Sequence, residues 1–237
     1  MIEFFPSREV ALEIGNLSVR WYGLLYVIAF WLGWWMLPTL AALRGILMSR
    51  DQASRITLWV VLGVIVGGRL GYVVLYEPSY YWLHPAEIFS LTHGGMSFHG
   101  GFLGVGLIIW WLTQTMKLHW LQIVDLLVVP IAFGLALGRI GNFINQELYS
   151  GYWAMIVAGG DALLAGMCWY GLSRSSTKVG GVTALFLVGY GMIRFFSELV
   201  RIDDWSYLWG FTYGQFLTIP ILVLGIYLWT KKIPISE

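Results

Sequence analysis

The chain has 237 residues, of which 58% are hydrophobic and 11% charged, with a mean hydropathy of +0.72. A soluble domain carries about 25% charged residues, so this composition excludes an ordinary soluble fold and points to an all-α, polytopic membrane protein. The net charge of +1 offers no field for nucleic acid, one cysteine (Cys168) cannot form an internal disulfide, and four scattered histidines make no metal site.

Residues 1–16 are acidic and mixed, without the basic start and apolar run of a cleavable signal peptide. Seven apolar stretches follow, at about 21–41, 56–76, 95–115, 121–139, 152–172, 179–199 and 216–230. They read as seven transmembrane helices of one domain, 1–237. Span two carries a ridge of Gly63, Gly67 and Gly71 around Arg69, suited to close helix packing. Span three opens on His99 beside Gly100, Gly101, Gly104 and Gly106, where missing side chains would also let a substrate approach the backbone. Span four holds Asp125, Gly134 and Gly138, and runs into a polar knot from Arg139 through Asn142 and Asn145 to Glu147. Span five carries Asp161 and Cys168, the cysteine read as packing.

Basic residues in the connections set the orientation. Arg44, Arg50 and Arg55 after span one, Lys117 after span three, Arg174 and Lys178 after span five, and Lys231 and Lys232 in the tail share one side. Arg8, Arg20 and Arg201 fall on the other, among Glu3, Glu9, Glu13, Glu77, Glu87, Asp203 and Asp204. Tyr80, Tyr81, Trp82, Trp205, Tyr207 and Trp209 form an aromatic belt there. The N-terminus is expected outside and the C-terminus in the cytoplasm.

A charge inside a span costs at least about 2.5 kcal/mol and usually faces a bundle interior. In this orientation Arg69, Arg139 and Arg194 fall late in outward-running spans, His99 early in an inward-running one, and Arg20 and Tyr22 at the outer start of span one. Five helices thus bring polar groups to the outer leaflet. Tyr190, Arg194, Glu198 and Arg201 follow i, i+4, i+8 and i+11, one stripe on span six. An Arg194–Glu198 pair explains two of them and leaves Arg69 and Arg139 needing anions, with Glu147 one candidate. A guanidinium also donates two parallel hydrogen bonds to phosphate. The residues alone allow a lipid-phosphate site, structural ion pairs, or a transport path, though no inverted repeat supports the last.

Several blocks, in order, resemble the prolipoprotein diacylglyceryl transferase family. They are Arg20-Trp21-Tyr22-Gly23-Leu24, Gly68-Arg69-Leu70-Gly71-Tyr72, Gly95-Met96-Ser97-Phe98-His99-Gly100-Gly101 and Gly138-Arg139-x-Gly141-Asn142-Phe143-x-Asn145-x-Glu147. Gly189-Tyr190-Gly191 with Arg194, Glu198 and Arg201, and then Gly214-Gln215, continue the match. The resemblance implies an enzyme of the bacterial inner (cytoplasmic) membrane with seven transmembrane helices. It would move diacylglyceryl from phosphatidylglycerol to the lipobox cysteine thiol of a prolipoprotein and release glycerol phosphate, without metal or organic cofactor. It further implies that Arg139 and Arg194 act on the lipid phosphate and its leaving group. His99 is the natural acceptor of the thiol proton, because imidazole titrates near neutrality. Alternatively, the arginines stabilise the departing phosphate while another group assists the thiol. Tyr22, Arg69, Asn142, Asn145, Glu147, Tyr190, Glu198 and Arg201 match substrate-binding positions.

The chain departs from the family in two places. The family's Glu-x-x-Gly is displaced here, with Gly151 following Glu147 one place late. A segment of several tens of residues between spans four and five, ending in a His-Pro-x-Gln-Leu-Tyr-Glu-like block, has no counterpart after Tyr149. Asp161 falls near the place of that block's terminal acid. The alternative function is therefore a reduced, non-catalytic member that binds or moves anionic phospholipid.

Overall fold

The computed structural model describes residues 2–4, 7–15, 17–90, 94–116, 119–202, 207–208 and 211–231, and for 2–4, 17, 98–99, 207–208 and 213 the backbone alone. Lys117, Asp203, Asp204, Trp205, Trp209 and Lys232 lie outside the described residues, as do the side chains of Glu3, His99 and Tyr207. The helices are α1 (Trp21–Ala42), α2 (Arg50–Leu75), the short α3 (Pro78–Leu83), α4 (Phe98–Met116), α5 (Trp120–Asn145), α6 (Trp153–Ser173), α7 (Gly181–Ser197) and α8 (Tyr213–Thr230). Each apolar stretch falls on one helix. The second starts earlier than 56, at Arg50, under a capping box of Ser49 and Gln52, and the fourth runs past 139 to Asn145.

Five segments are long and apolar enough to cross a membrane: Trp21–Ala42, Arg50–Leu75, Trp120–Asn145, Trp153–Ser173 and Gly181–Val200. Gly100–Met116 and Gly214–Thr230 are shorter apolar helices. Large side chains such as Val27, Trp31, Phe102, Leu107, Leu163 and Val223 stay exposed on these helices, a surface suited to lipid rather than water.

The all-α expectation needs correction at two places. Strands β1 (Ile2–Phe4), β2 (Val10–Ile14) and β3 (Leu17–Arg20) form an antiparallel sheet ahead of α1, and β4 (Tyr207–Leu208) pairs with β5 (Phe211–Thr212) ahead of α8. Strands this short carry too few residues for their alternation to stand out in a sequence.

Contacts divide the chain into two compact units. One comprises Met1–Leu47 with Val124–Glu237. Its helices pack antiparallel through small residues: a Cβ on Gly33 would lie 3.6 Å from Pro130, one on Gly134 3.4 Å from Ala29, and one on Gly141 2.9 Å from the Tyr22 ring. Gly138 has nothing within 4 Å and does not extend the ridge expected from Gly134. At one end of this unit, Arg44 Nη1 donates to the Thr177 carbonyl (2.6 Å) and Lys178 Nζ to that of Trp229 (2.5 Å). Burial lowers the Arg44 pKa from its ordinary value, opposed by the charge of Asp125. Asp125, buried in α5, accepts from Gly180 N (2.8 Å), Thr183 N (2.7 Å) and Thr183 Oγ1 (2.5 Å). It thereby caps α7, whose own N-cap residue is a glycine with φ of 80° and no side chain to offer.

The other unit is Met48–Ile123. Here α2 and α4 touch backbone to backbone. A Cβ on Gly67 would fall on the Gly100 carbonyl, one on Gly100 on the Gly67 carbonyl, and one on Gly104 on that of Gly63. Gly100 and Gly104 are thus spent on helix packing, which answers the suggestion that they open the backbone to a substrate. Gly67→Val is expected to lower the unfolding midpoint in detergent sharply, while Gly106→Ala, with nothing within 4 Å, leaves it unchanged.

Arg69, read from the sequence as a phosphate ligand, has a different task. It is 4% exposed and donates to five backbone carbonyls. Nε reaches Ile88 (2.9 Å), Nη1 reaches Gly94 (2.7 Å) and Gly95 (3.1 Å), and Nη2 reaches Glu87 (2.6 Å) and Ser90 (2.8 Å). A guanidinium has five N–H donors, so none is left for a phosphate. Neutral carbonyl dipoles satisfy a charge for which the sequence reading had sought an anion.

Candidate functional site

The site lies in the unit of Met1–Leu47 with Val124–Glu237, at the end opposite Arg44 and Lys178. The polar knot that looked like a stretch beyond span four is the last turn of α5 and its exit. Arg8 Nε donates to the Ile144 carbonyl, satisfying one of the helix's terminal acceptors. The chain then leaves through Gln146 (φ 55°) and Leu148 (φ 64°), two left-handed residues that are not glycine, and Gly151 (φ 54°). Such conformations cost on the order of 1 kcal/mol or more each and persist where surrounding structure imposes them. They fold 146–152 back against the segment that follows α7, where Ile202 N donates to the Leu148 carbonyl (3.1 Å) and Tyr149 bridges Arg201.

This turn aims Glu147 at α1. The Tyr22 hydroxyl donates to Glu147 Oε1, Asn142 Nδ2 donates to the Tyr22 oxygen, and Asn142 Nδ2 lies 3.3 Å from the same Oε1. Gly141 leaves the space for the Tyr22 ring. Glu147 therefore serves a tyrosine and an amide, and the expectation that it neutralises Arg69 or Arg139 is corrected. Asn145, on the final residue of α5, has a buried Oδ1 with no partner among the described residues.

The partner of Arg139 is Asp161 on α6, with Nε 3.5 Å from Oδ2. The Arg139 guanidinium also lies over the Tyr149 ring, 5.5 Å from its centroid. Among the described residues Arg139 makes no hydrogen bond, so both Nη groups remain without a protein acceptor. Tyr190 on α7 is within electrostatic range of Arg139, Asp161, Arg194 and Tyr149, and Tyr22 is within range of Arg139. Beside them a recess of about 500 Å³ opens between Phe143, Tyr149, Tyr152 and Ile202.

Helix α7 ends at Ser197 and passes into a 3-10 turn, Glu198–Val200. The stripe read from the sequence survives this change of helix type. Glu198 Oε1 pairs with Arg194 Nη1 (2.5 Å) and Arg201 Nη1 (2.8 Å), while Oε2 accepts from Thr212 Oγ1 (3.0 Å). Thr212 also caps α8, accepting from Gln215 N (3.0 Å), and Gln215 Oε1 accepts from Thr212 N (3.1 Å). A Cβ on Gly214 would fall on the Glu198 carboxylate. Thr212→Val, which removes both the cap and the donor to Glu198, is expected to lower stability by about 1–2 kcal/mol, read as a shift in the detergent unfolding midpoint.

The structure thus gathers Tyr22, Arg139, Asn142, Glu147, Tyr190, Arg194, Glu198 and Arg201. Arg69 and the backbone of His99 belong to the other unit. Arg139, Arg194 and Arg201 meet Glu147, Asp161 and Glu198, so the cluster is charge-balanced rather than strongly cationic. Sequence reasoning missed Tyr149 and Thr212. The first carries no local signal; the second, three residues before Gln215, is a legible capping box.

A family model described as prolipoprotein diacylglyceryl transferase matches residues 9–231. The phosphatidylglycerol–prolipoprotein diacylglyceryl transferase of Polaromonas naphthalenivorans is 39% identical over 256 aligned positions, covering 94% of this chain and 94% of that protein. The protein of that name from Nitratidesulfovibrio vulgaris is 39% identical over 253 positions, covering 96% of this chain and 95% of its own length. Both alignments are longer than this chain of 237 residues, so these relatives hold residues that it lacks.

Proposed function

The chain belongs to the prolipoprotein diacylglyceryl transferase family, and we propose that it transfers diacylglyceryl from phosphatidylglycerol to the lipobox cysteine thiol of a prolipoprotein, releasing glycerol phosphate. The observation that best supports this reading is the state of Arg139. Its Nε faces Asp161, its guanidinium carbon lies over the Tyr149 ring, and its two Nη groups have no protein acceptor among the described residues. A guanidinium presented in this way suits two oxygens of a phosphate.

The chemistry explains why such a group helps. The acceptor sulfur forms a bond to the glyceryl carbon, the carbon–oxygen bond to phosphate breaks, and the electron pair stays on the phosphate oxygen. A diester monoanion becomes a monoester dianion. Fixed donors at Arg139, with Arg194 beside it, stabilise the second charge as it develops, more than they stabilise the bound lipid. His99, at the second position of α4, is assigned the thiol proton on the resemblance alone. Tyr22, Asn142, Asn145, Glu147, Tyr190, Glu198 and Arg201 are assigned to binding of the lipid substrate on the same resemblance.

The protein is placed in the bacterial inner membrane, crossing it seven times with its N-terminus outside. Support comes from the unit containing the site, where Arg44 and Lys178 lie at one end of the helices and the polar cluster at the other. The deciding experiment uses purified protein, phosphatidylglycerol and a lipobox peptide. Glycerol phosphate release that requires the peptide thiol is expected. Lipid binding without release would instead make the chain a lipid-binding member.

A further inference from the structure

Asp161 is the outlier among the buried acids of this protein. It is 0% exposed, and among the described residues neither carboxylate oxygen accepts a hydrogen bond. The other acids show what a structural carboxylate looks like here. Asp125 accepts three hydrogen bonds from α7 and its entry, and Glu198 takes Arg194, Arg201 and Thr212. Among the described residues Asp161 has one ion pair, to Arg139 Nε at 3.5 Å, with Tyr190 within electrostatic range.

An isolated carboxylate in a membrane span is expensive, and a pair kept for stability would be expected to engage its oxygens fully. The contact also uses the wrong part of the arginine for that purpose. A bidentate pair would make two short parallel N–H bonds, whereas here the recorded approach is a long one, 3.5 Å, at the inner Nε edge. Asp161 thus spends little of the guanidinium's bonding capacity while fixing where the guanidinium lies. Tyr149, whose ring centroid lies 5.5 Å from the guanidinium carbon, limits the remaining motion.

We propose that Asp161 is a positioning residue for the transfer, holding the inner edge of Arg139 so that both Nη groups remain for the lipid phosphate. This rests on the transferase reading above. With the guanidinium held before the lipid arrives, no reorganisation is needed as negative charge grows on the leaving phosphate. Asp161 also balances Arg139 in the empty site, so that the arginine is not a buried lone charge between turnovers.

Charge alone predicts the opposite sign, which makes the idea testable. Asp161→Asn removes a negative group, so simple electrostatics would tighten binding of the anionic lipid and speed the reaction. Positioning predicts a slower reaction with binding kept. In the full-length protein with phosphatidylglycerol and lipobox peptide, Asp161→Asn is expected to lower kcat about 100-fold, with lipid affinity no weaker than about threefold below wild type. In an Arg139→Gln background the same substitution is expected to change the residual rate less than about twofold. An unchanged kcat, or the same fold loss in the Arg139→Gln background, overturns the positioning role alone. No release from the wild-type chain overturns the transferase reading and the role with it. Should Asp161→Asn fail to fold, Asp161→Glu decides, since it keeps the charge and displaces the carboxylate by one methylene. A kcat at least about tenfold lower at unchanged affinity supports the role, and a wild-type kcat overturns it.

Discussion

Arg139→Ala is expected to abolish thiol-dependent glycerol phosphate release, with a loss of about 10³-fold or more, and to destabilise the protein at the same time. The two effects have separate causes. The catalytic loss follows because a fixed donor to developing charge, in a site shielded from water, contributes most at the transition state. The structural loss follows because Asp161, 0% exposed, would lose the one ion-pair partner it has among the described residues. Breaking a buried pair from one side costs roughly 3–5 kcal/mol. Arg139→Lys separates the two. The ammonium can still face Asp161, but it lacks the planar fork, so stability is expected to recover further than turnover. Turnover and unfolding midpoint, measured on the same detergent preparations, give both readings.

Arg69→Lys is the second substitution with a large expected effect, and its signature is different. Lysine keeps the positive charge but can satisfy at most three of the five carbonyls now held. Two or more part-buried carbonyls lose a charged donor, at about 1–3 kcal/mol each. The damage should concentrate where those carbonyls lie, between Glu87 and Gly95, ahead of α4. Proteolytic cleavage in that stretch and a lower unfolding midpoint are expected together. In molecules that remain folded, the KM for phosphatidylglycerol should be unchanged, because every Arg69 donor is already engaged in the wild type. A selective rise in KM with stability intact would return Arg69 to the lipid site.

These cases show what a sequence can and cannot carry. Helix positions were legible because twenty apolar residues in a row have few alternatives, and Arg50–Leu75 and Trp120–Asn145 differed only where polar turns extend the apolar core. The Arg194–Glu198–Arg201 stripe was legible because helical periodicity fixes neighbours within one element. The partner of an arginine on another helix was not. Arg69 and Arg139 look alike in sequence, yet one is satisfied by carbonyls of a following loop and the other is only charge-paired, with Asp161 on the next helix. Counting unpaired charges therefore overstated how cationic the site is. The strained exit through Gln146 and Leu148 was equally hidden, since neither residue type announces a left-handed backbone.

Asp125 bears on how the molecule is made. Its hydrogen-bond donors, Gly180 and Thr183, lie 55 and 58 residues further along the chain. When Asp125 leaves the ribosome neither residue has emerged, so the newborn helix carries its carboxylate toward the membrane without any of these hydrogen-bond donors. Its acid is settled only when the hairpin of α6 and α7 arrives. A nascent chain arrested before Gly180 should hold α5 poorly in the bilayer, whereas one arrested after α7 should hold it firmly. Translation order and membrane retention are tied together at this one carboxylate.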